Sequence, residues 1–403
     1  MESKNTINAF DLNNLLYVPT SDAALGIQRQ YRRHYPQKTR YAEGEELVFN
    51  VHGRNFVDLR NSSLEFTVNA EIGAVGVGTV GFGPGSVVNL IRRVRVIAPN
   101  GQEISRSEKA NVLQYYLMKV KNGRHFRENV GTQIDYDTDY DFATGAIKTY
   151  NIPLRFIDPF FGTEQFLPPS LVENLRIEIT FEKKEIAFIY NGIDTDLTSY
   201  QISDPSLMLD SYTMSPAATK VINQMDPLIY QYKSYHHTLS GIDSGSNALD
   251  VQLSHSVSTA LECFVINRLN DDDIPPVNSF RSREIKEGDQ QIWRIGQIRM
   301  PQQPLVKLSQ WVNNFYQVNQ QLGNQGMDNI DMDYDQFVTG LYGHPSVDLR
   351  RSKYFDTSGI EISNQRELIC QLKLVDSVET TSDMFCCYVG RIVASNGSIT
   401  IEN

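Results

Sequence analysis

Short segments in which apolar and polar residues alternate recur along the chain, and they restrict its fold more than any other feature. Leu64, Phe66 and Val68 would share one face of a strand. Other strand-like segments are Glu46 to Val51, Tyr150 to Phe156, Leu175 to Phe181, Ala248 to Leu253, Leu261 to Ile266, Gln291 to Met300, Glu367 to Val375 and the apolar run Met384 to Val393. A strand with one apolar face must pack against another layer, so the pattern predicts antiparallel sandwiches.

Two helical patterns interrupt the strands, one in each half of the chain. The first follows a β-branched strand, Val87 to Ile97, an Asn100-Gly101 turn, and a capping box made by Ser105 and Glu108. The second runs from Leu305 to Gly323, after another strand. Because both halves have the same order of elements, we expect an all-β protein of two tandem eight-stranded jelly rolls, each with a short helix.

The length of the chain agrees with two large β domains. All-β domains reach about 200–250 residues, and the chain has 403. Its 20 Tyr and 19 Phe favour strands over helical bundles. The segment Met214 to Pro227 is sparse in apolar residues, and we place the junction there. The expected organisation is an N-terminal arm at 1–44, a first jelly roll at 45–213, a junction at 214–228 and a second jelly roll at 229–403.

Motifs for cofactor or metal chemistry are weak. Gly76 to Gly81 matches G-x-G-x-x-G, but a β-branched strand follows where a dinucleotide site needs a helix. The alternating acids from Asp135 to Asp141 lack the glycine and glutamate of an EF-hand, and we interpret them and Asp331 to Asp335 as solvated loops. With scattered histidines and neither a nucleophile elbow nor a phosphate loop, we expect no enzyme, no cofactor and no metal.

The cysteines and the first residues indicate whether the chain enters an oxidising, secretory compartment. Cys263, Cys370, Cys386 and Cys387 have no C-x-x-C spacing, and we expect reduced, structural thiols. The first residues have neither a signal-peptide pattern nor a long apolar run, so we expect no cleaved leader and no membrane span.

One strongly basic segment stands out in a chain of net charge −11. Ile27 to Arg40 contains five cations and no acid, namely Arg29, Arg32, Arg33, Lys38 and Arg40. It is either a solvated segment or a clamp for acidic surfaces, lipid headgroups or nucleic acid.

The order of these segments resembles that of double jelly-roll major capsid proteins, the lineage of adenovirus hexons, membrane-containing tailless phages, virophages and polinton-like viruses. The likeness rests on Asn61 to Val68, Val88 to Val96 with its Asn100-Gly101 turn, Ile152 to Leu154 with Phe160-Phe161, Phe166 to Pro169 before Leu175 to Phe181, Cys263 to Leu269, the helix ending at Gly323, and Ser358 to Ile360. The chain lacks the long loop insertions of the larger hexons.

This resemblance implies a virion protein whose homotrimers have a pseudo-hexagonal outline and tile an icosahedral shell. It implies as partners the neighbouring capsomers and the penton and minor capsid proteins, with an internal membrane as a further candidate, and no sequence-specific nucleic acid. The basic segment would then face inward at the base of the capsomer. A lectin-like β-sandwich, as a virion spike or an adhesin, is the alternative, and a jelly-roll glycoside hydrolase, with two carboxylates across a groove, is a third possibility.

Overall fold

The fold is described from a computed structural model of the chain. It covers residues 28–72, 79–82, 85–122, 126–136, 147–191, 197–223, 226–242, 245–269, 283–322, 337, 344–351, 358–363, 366–376, 379–395 and 398–402.

The first half forms two antiparallel sheets that face each other. Its strands are β1 Gln28–His34, β2 Arg40–Ala42, β3 Glu46–Val51, β4 Phe56–Ile72, β5 Thr79–Gly81, β6 Ile91–Ile97, β7 Glu103–Ser107, β8 Ile147–Pro153, β9 Leu175–Phe181, β10 Ile189–Asn191 and β11 Leu197–Thr213. One sheet has the order β1-β11-β4-β8, with β2 also on β11, and the other has the order β3-β9-β6-β7. The short strands β5 and β10 pair with each other.

The second half repeats this arrangement. Its strands are β12 Leu228–Ile242, β13 Ala248–Gln252, β14 Val257–Leu269, β15 Gln290–Ile295, β16 Ile298–Leu305, β17 Ser346–Asp348, β18 Ile360–Ile362, β19 Leu368–Lys373, β20 Thr380–Ser395 and β21 Ser398–Glu402. The two sheet orders are β12-β20-β14-β17, with β18 on β14 and β21 on β20, and β13-β19-β15-β16.

The two halves of the chain have the same sheet topology. Each strand on the four-stranded paths of the first half has a counterpart at the same position of a sheet in the second half. The pairs are β1 and β12, β3 and β13, β4 and β14, β6 and β15, β7 and β16, β8 and β17, β9 and β19, and β11 and β20. Each half thus has two four-stranded paths, which makes an eight-stranded jelly roll. The predicted all-β double jelly roll is confirmed. We call the half containing β1 to β11 roll 1 and the half containing β12 to β21 roll 2.

The helices lie in equivalent places of the repeat. They are α1 Ala110–Lys121, α2 Pro169–Val172, α3 Lys184–Ala187, α4 Pro216–Asn223 and α5 Leu308–Leu322. Helix α1 follows the β6–β7 hairpin, as the sequence predicts. Helix α5 follows the β15–β16 hairpin, where the sequence predicts a single strand, and Leu305, predicted in the helix, is the last residue of β16. The predicted capping box is wrong: Lys109 precedes α1 without a side-chain cap, and Ser105 lies in β7, where its buried hydroxyl has other partners.

Three predicted strands are divided in the structure. The strand predicted at Tyr150 to Phe156 ends at Pro153, and Leu154–Phe156 is a 3₁₀ turn. Val87–Leu90 is a 3₁₀ turn capped by Ser86, and the strand begins at Ile91. Gln291 to Met300 turns at Gly296, whose φ of 57° suits glycine, and so contributes to both β15 and β16.

One hydrophobic core runs through both rolls. The buried cluster includes Phe66 and Ile179 from roll 1 and Val265 and Leu372 from roll 2. Alternation explains the core within each roll, since it directs these four side chains between the two sheets of their roll. The contact of Tyr116 with Phe264 joins the two parts. Among the residues described, no helix has the length and apolar character needed to cross a membrane.

Candidate assembly surfaces

An aromatic contact joins the two rolls inside the chain. Tyr116 of α1 is fully buried, and its ring lies 4.1 Å from that of Phe264 in β14 and 4.9 Å from that of His344, centroid to centroid. It also meets Phe315 of α5 edge-on at 6.5 Å. Helix α1 therefore packs against the outer face of the β12-β20-β14-β17 sheet, and eleven of its twelve residues are buried.

A buried polar cluster lies at the same boundary, where β7 runs beside β12. Asp158 is fully buried and caps the 3₁₀ turn Pro159–Gly162, accepting from the Phe160 N–H at 2.8 Å. It also accepts hydrogen bonds from the hydroxyls of Ser105 (3.2 Å) and Ser107 (2.5 Å) in β7. The Ser105 hydroxyl lies 2.7 Å from that of Ser234 in β12. Burial raises the pKa of Asp158 although these donors oppose the shift.

This internal interface explains why β20 is apolar on both faces. Cys386 lies opposite Cys263 of β14, on the face that also approaches Cys370 of the other sheet of roll 2. Cys387 and Val389 point the other way, toward roll 1. The long apolar run predicted as a central strand is thus buried twice, once within roll 2 and once against roll 1.

The equivalent face of roll 1 is polar. In β4 the outward positions include Glu65, Thr67 and Asn69, where β14 has Glu262 and Phe264. The Thr67 hydroxyl lies 2.9 Å from that of Thr149 in β8. We call this surface, formed by the outward side chains of β1, β11, β4 and β8, the outer face of roll 1.

The basic segment forms the edge of that face. Residues 28–34, expected within an N-terminal arm, form strand β1, which pairs antiparallel with β11 along seven register pairs. Residues 1–27 lie outside the described part of the chain. Register places Arg29, Tyr31 and Arg33 on the outer face, and Arg32 and His34 on the side of Leu207 and Leu209.

Carboxylates neutralise three of the five predicted cations. Arg29 donates to fully buried Asp210, with its Nη2 2.8 Å from Oδ2, and this bond raises the pKa of the Arg29 guanidinium. Arg33 lies 3.5 Å from Glu65, and Lys38 lies 3.1 Å from Glu45. Arg32 and Arg40 are exposed and have no ion pair among the described residues. The sequence identified the cations but not their acceptors.

Exposed apolar side chains concentrate on outermost strands. Tyr31 of β1 is 57% exposed, Ile147 of β8 71%, Leu239 of β12 58% and Ile298 of β16 64%. Each of these strands is at the end of its sheet path. Edge strands with apolar side chains invite pairing or coverage by another chain, which makes them candidate assembly surfaces.

The pKa values of two histidines, half-buried His236 and fully buried His344, are low enough to keep both rings neutral at pH 7. The ring of His236 is stacked between those of His255 and Tyr388, at 4.5 Å and 4.3 Å, and burial lowers the pKa of His236 to about 4. Burial lowers the pKa of His344 to about 3. The Nε2 of His236 and the Nδ1 of His344 have no hydrogen-bond partner among the described residues, so protonating either ring would bury an uncompensated charge.

Other sequence candidates have structural roles where the structure describes them. Asp135 is buried and accepts from Lys148 Nζ at 2.6 Å and from the Tyr150 hydroxyl at 2.6 Å, so it is not a solvated loop acid. The other acids of that group, Gly76 to Gly78 of the glycine motif and Asp331 to Asp335 lie outside the described residues. All four cysteines are buried and free, and no metal-binding cluster occurs in the part searched.

Comparison with known proteins was made by sequence and by structure. No protein-family model and no curated protein matches the sequence. The structure of the PBCV-1 protein VP54, fitted into a reconstruction of the virophage Sputnik, matches with a TM-score of 0.65 and 10% identity over 96% of this chain and 99% of that one.

Two further capsid proteins are similar over most of their length. The Faustovirus major capsid protein matches with a TM-score of 0.63 and 9% identity, over 96% of this chain and 94% of its own. The mavirus major capsid protein matches with a TM-score of 0.53 and 11% identity, over 92% and 90%. At these identities the likeness establishes a shared fold, which agrees with the two rolls described above.

Proposed function

We propose that the chain is the major capsid protein of an icosahedral DNA virus, a structural component of the virion with no catalytic role. The support is a double jelly roll shared nearly end to end with the capsid proteins of PBCV-1, Faustovirus and mavirus. The four-stranded paths and the single core through both rolls give a rigid block, as a shell requires.

The observation that carries the assembly proposal is the internal repeat. Within the chain, β7 and α1 of roll 1 pack on the sheet of roll 2 that contains β12. By the strand correspondence, β16 and α5 of roll 2 would pack on the sheet containing β1 in the next copy. A ring of six rolls built in this way contains three chains, which is a trimer with a pseudo-hexagonal outline.

Burial differs between equivalent elements in the way this ring requires. In β7 the pattern is mostly buried, whereas β16 is exposed or half-buried throughout. Helix α1 is covered on nearly all sides, whereas Ser309, Gln310, Asn313 and Gln317 of α5 are exposed. The elements that have a partner inside the chain are covered, and their counterparts are open.

Light scattering after size-exclusion chromatography tests the trimer. We expect the wild-type protein to elute as a trimer, and Tyr31→Asp on β1 and Ile298→Asp on β16 to shift it toward monomer. The matched controls are Tyr35→Asp and Val375→Asp, which change side chains that are 68% and 54% exposed outside these strands. A folded wild-type monomer at micromolar concentration would contradict the proposal, and a lectin-like monomer that binds glycan would favour the alternative.

The finer partners are proposals as well. The candidates for contact with the surfaces outside the ring are penton and minor capsid proteins, neighbouring capsomers and an internal membrane. The inward orientation of the basic segment stays a prediction. Replacing Arg32 and Arg40 with Gln, which breaks no ion pair within the described structure, should leave trimers intact and impair particle assembly; normal particles would contradict this role.

A further inference from the structure

A cleft lies between the two rolls, and its lining differs in charge from the rest of the molecule. Its volume is about 500 Å³, which is within the range of small-molecule sites. It is bounded by the last turns of α1, the segment 155–165 of roll 1, and the outer face of roll 2. Five basic side chains line it: Arg60, Lys121, Arg155, Lys233 and Arg350. Two acids, Glu164 and Glu262, also line it, so the cleft is positive in a chain of net charge −11.

The two acids are already engaged by cations. Arg60 Nη1 donates to Glu164 at 2.6 Å, at the exposed rim. Glu262 is buried; it accepts from the Tyr235 hydroxyl at 2.6 Å and from Arg350 Nη2 at 2.8 Å. Glu262 also favours the charged form of Lys121, although burial outweighs it. Arg155 has no ion pair with either acid of the lining.

Arg155 and Gln114 provide hydrogen-bond donors that lack acceptors. The Nε of Arg155 is buried with no partner, and so is the Nε2 of Gln114, whose side chain is only 2% exposed. A buried donor without an acceptor is costly, and such groups usually have a partner. Two of them in the lining of one positive cleft indicate an acceptor with negative charge.

Lys121 adds a third donor that is only weakly satisfied. Its Nζ lies 3.3 Å from the Tyr235 hydroxyl and 5.7 Å from the centre of that ring. Burial lowers the pKa of Lys121, and burial together with the charge of Arg60 lowers the pKa of Arg155. Both cations are thus desolvated without full compensation, and an anion would relieve this.

From the lining and the orphan donors we propose that this cleft binds a small oxyanion, a phosphate or carboxylate group, held by Arg155, Gln114 and Lys121. A planar guanidinium and an amide N–H₂ can each donate hydrogen bonds to the oxygens of such a group. Leu117, Met118 and Phe156 supply an apolar wall on one side. The oxyanion belongs either to a small molecule or to an acidic side chain of a partner protein. This inference does not depend on the capsid role.

Isothermal titration with three probes tests the site and distinguishes the sources: inorganic phosphate, succinate and a blocked tetraglutamate peptide, each at constant ionic strength in chloride. We expect at least one probe to bind in a one-to-one ratio. If only the peptide binds tightly, the oxyanion comes from an acidic side chain of a partner protein. If phosphate or succinate binds tightly, the oxyanion belongs to a small molecule. A signal no greater than that of chloride for all three would overturn the proposal.

Variants locate the binding. Arg155→Gln should weaken binding about tenfold or more, and Gln114→Met several-fold, because each removes a donor to a charged group. Arg176→Gln removes the same charge from an exposed position in β9 outside the cleft and should leave affinity unchanged. Circular dichroism and elution volume check the fold. If Arg155→Gln does not fold, Gln114→Met and Lys121→Gln replace it, and unchanged affinity in the folded variants would refute the assignment.

Discussion

Acidification should destabilise the folded chain through His344 and His236. The folded pKa values of these side chains are about 3 and about 4, against about 6.5 for an unfolded histidine. A folded pKa below the unfolded one means that the unfolded chain binds more protons. Stability is therefore unaffected well above pH 6.5 and falls as the pH drops from 6.5 toward the folded pKa.

The size of the effect follows from the two titration curves. Between pH 7 and pH 5 the unfolded chain takes up about 0.7 proton at each site, while the folded chain takes up almost none. Integrating this difference gives a loss of about 2 kcal/mol per histidine, and about 4 kcal/mol for both. That is a large part of the ~5–15 kcal/mol by which a domain is stable.

Urea denaturation at pH 7 and pH 5 measures the loss. His344→Leu removes the titrating ring from its apolar site, and His236→Phe keeps a ring between His255 and Tyr388. Each variant should lose about 2 kcal/mol less than wild type on acidification, and the double variant about 4 kcal/mol less. His52→Gln, at an exposed position, is the control. If the folded double variant shows the wild-type pH dependence, the reasoning is refuted.

Three further changes test the internal interface. Asp158→Ala leaves two serine hydroxyls and the Phe160 N–H without their acceptor and should lower the free energy of unfolding by about 3 kcal/mol or more, measured by urea denaturation; a loss below 1 kcal/mol would contradict the buried cluster. Tyr116→Ala empties the contact between the rolls and should cost about 3–5 kcal/mol, and a fully stable variant would show that the rolls do not depend on this contact. Burial raises the pKa of Cys387 to about 12, so native protein at pH 8 should resist iodoacetamide at this thiol; mass spectrometry showing rapid alkylation, or a disulfide at any cysteine, would contradict buried, reduced thiols.

The sequence predicts individual strands well because alternation is a local signal. Leu175 to Phe181 and Glu46 to Val51 are strands with the predicted bounds. The failure at Ser105 and Glu108 has a physical cause, since S-x-x-E fits the start of a helix but is equally compatible with a strand. Ser105 pairs with Val96 in the β6–β7 hairpin, and its hydroxyl donates to Asp158, 53 residues away. No local pattern contains that second contact.

The candidate surfaces depend even more on distant pairs. Arg29 is visible as a cation in the sequence, but its acceptor Asp210 is 181 residues away, and so the segment looks like an unpaired arm. The interface between the two rolls is, however, visible in the sequence pattern of two elements. Strand β20 has apolar residues at odd and even positions, and α1 is apolar around most of its circumference, which are the patterns of elements buried on more than one side.

The contrast between the two equivalent sheets connects sequence to assembly. Phe264 and Cys387 give the outer face of roll 2 an apolar surface that is buried against roll 1, so the two rolls share one core. The outer face of roll 1 has Glu65, Thr67 and Arg33 at comparable places, which suits a face that the proposed trimer leaves hydrated until another copy binds. One fold used twice can thus supply a permanent contact within the chain and a contact between chains that forms only afterward. Because the two copies of the fold are free to diverge, selection can adjust the polarity of one interface without changing the other, which a single jelly roll repeated by symmetry does not allow.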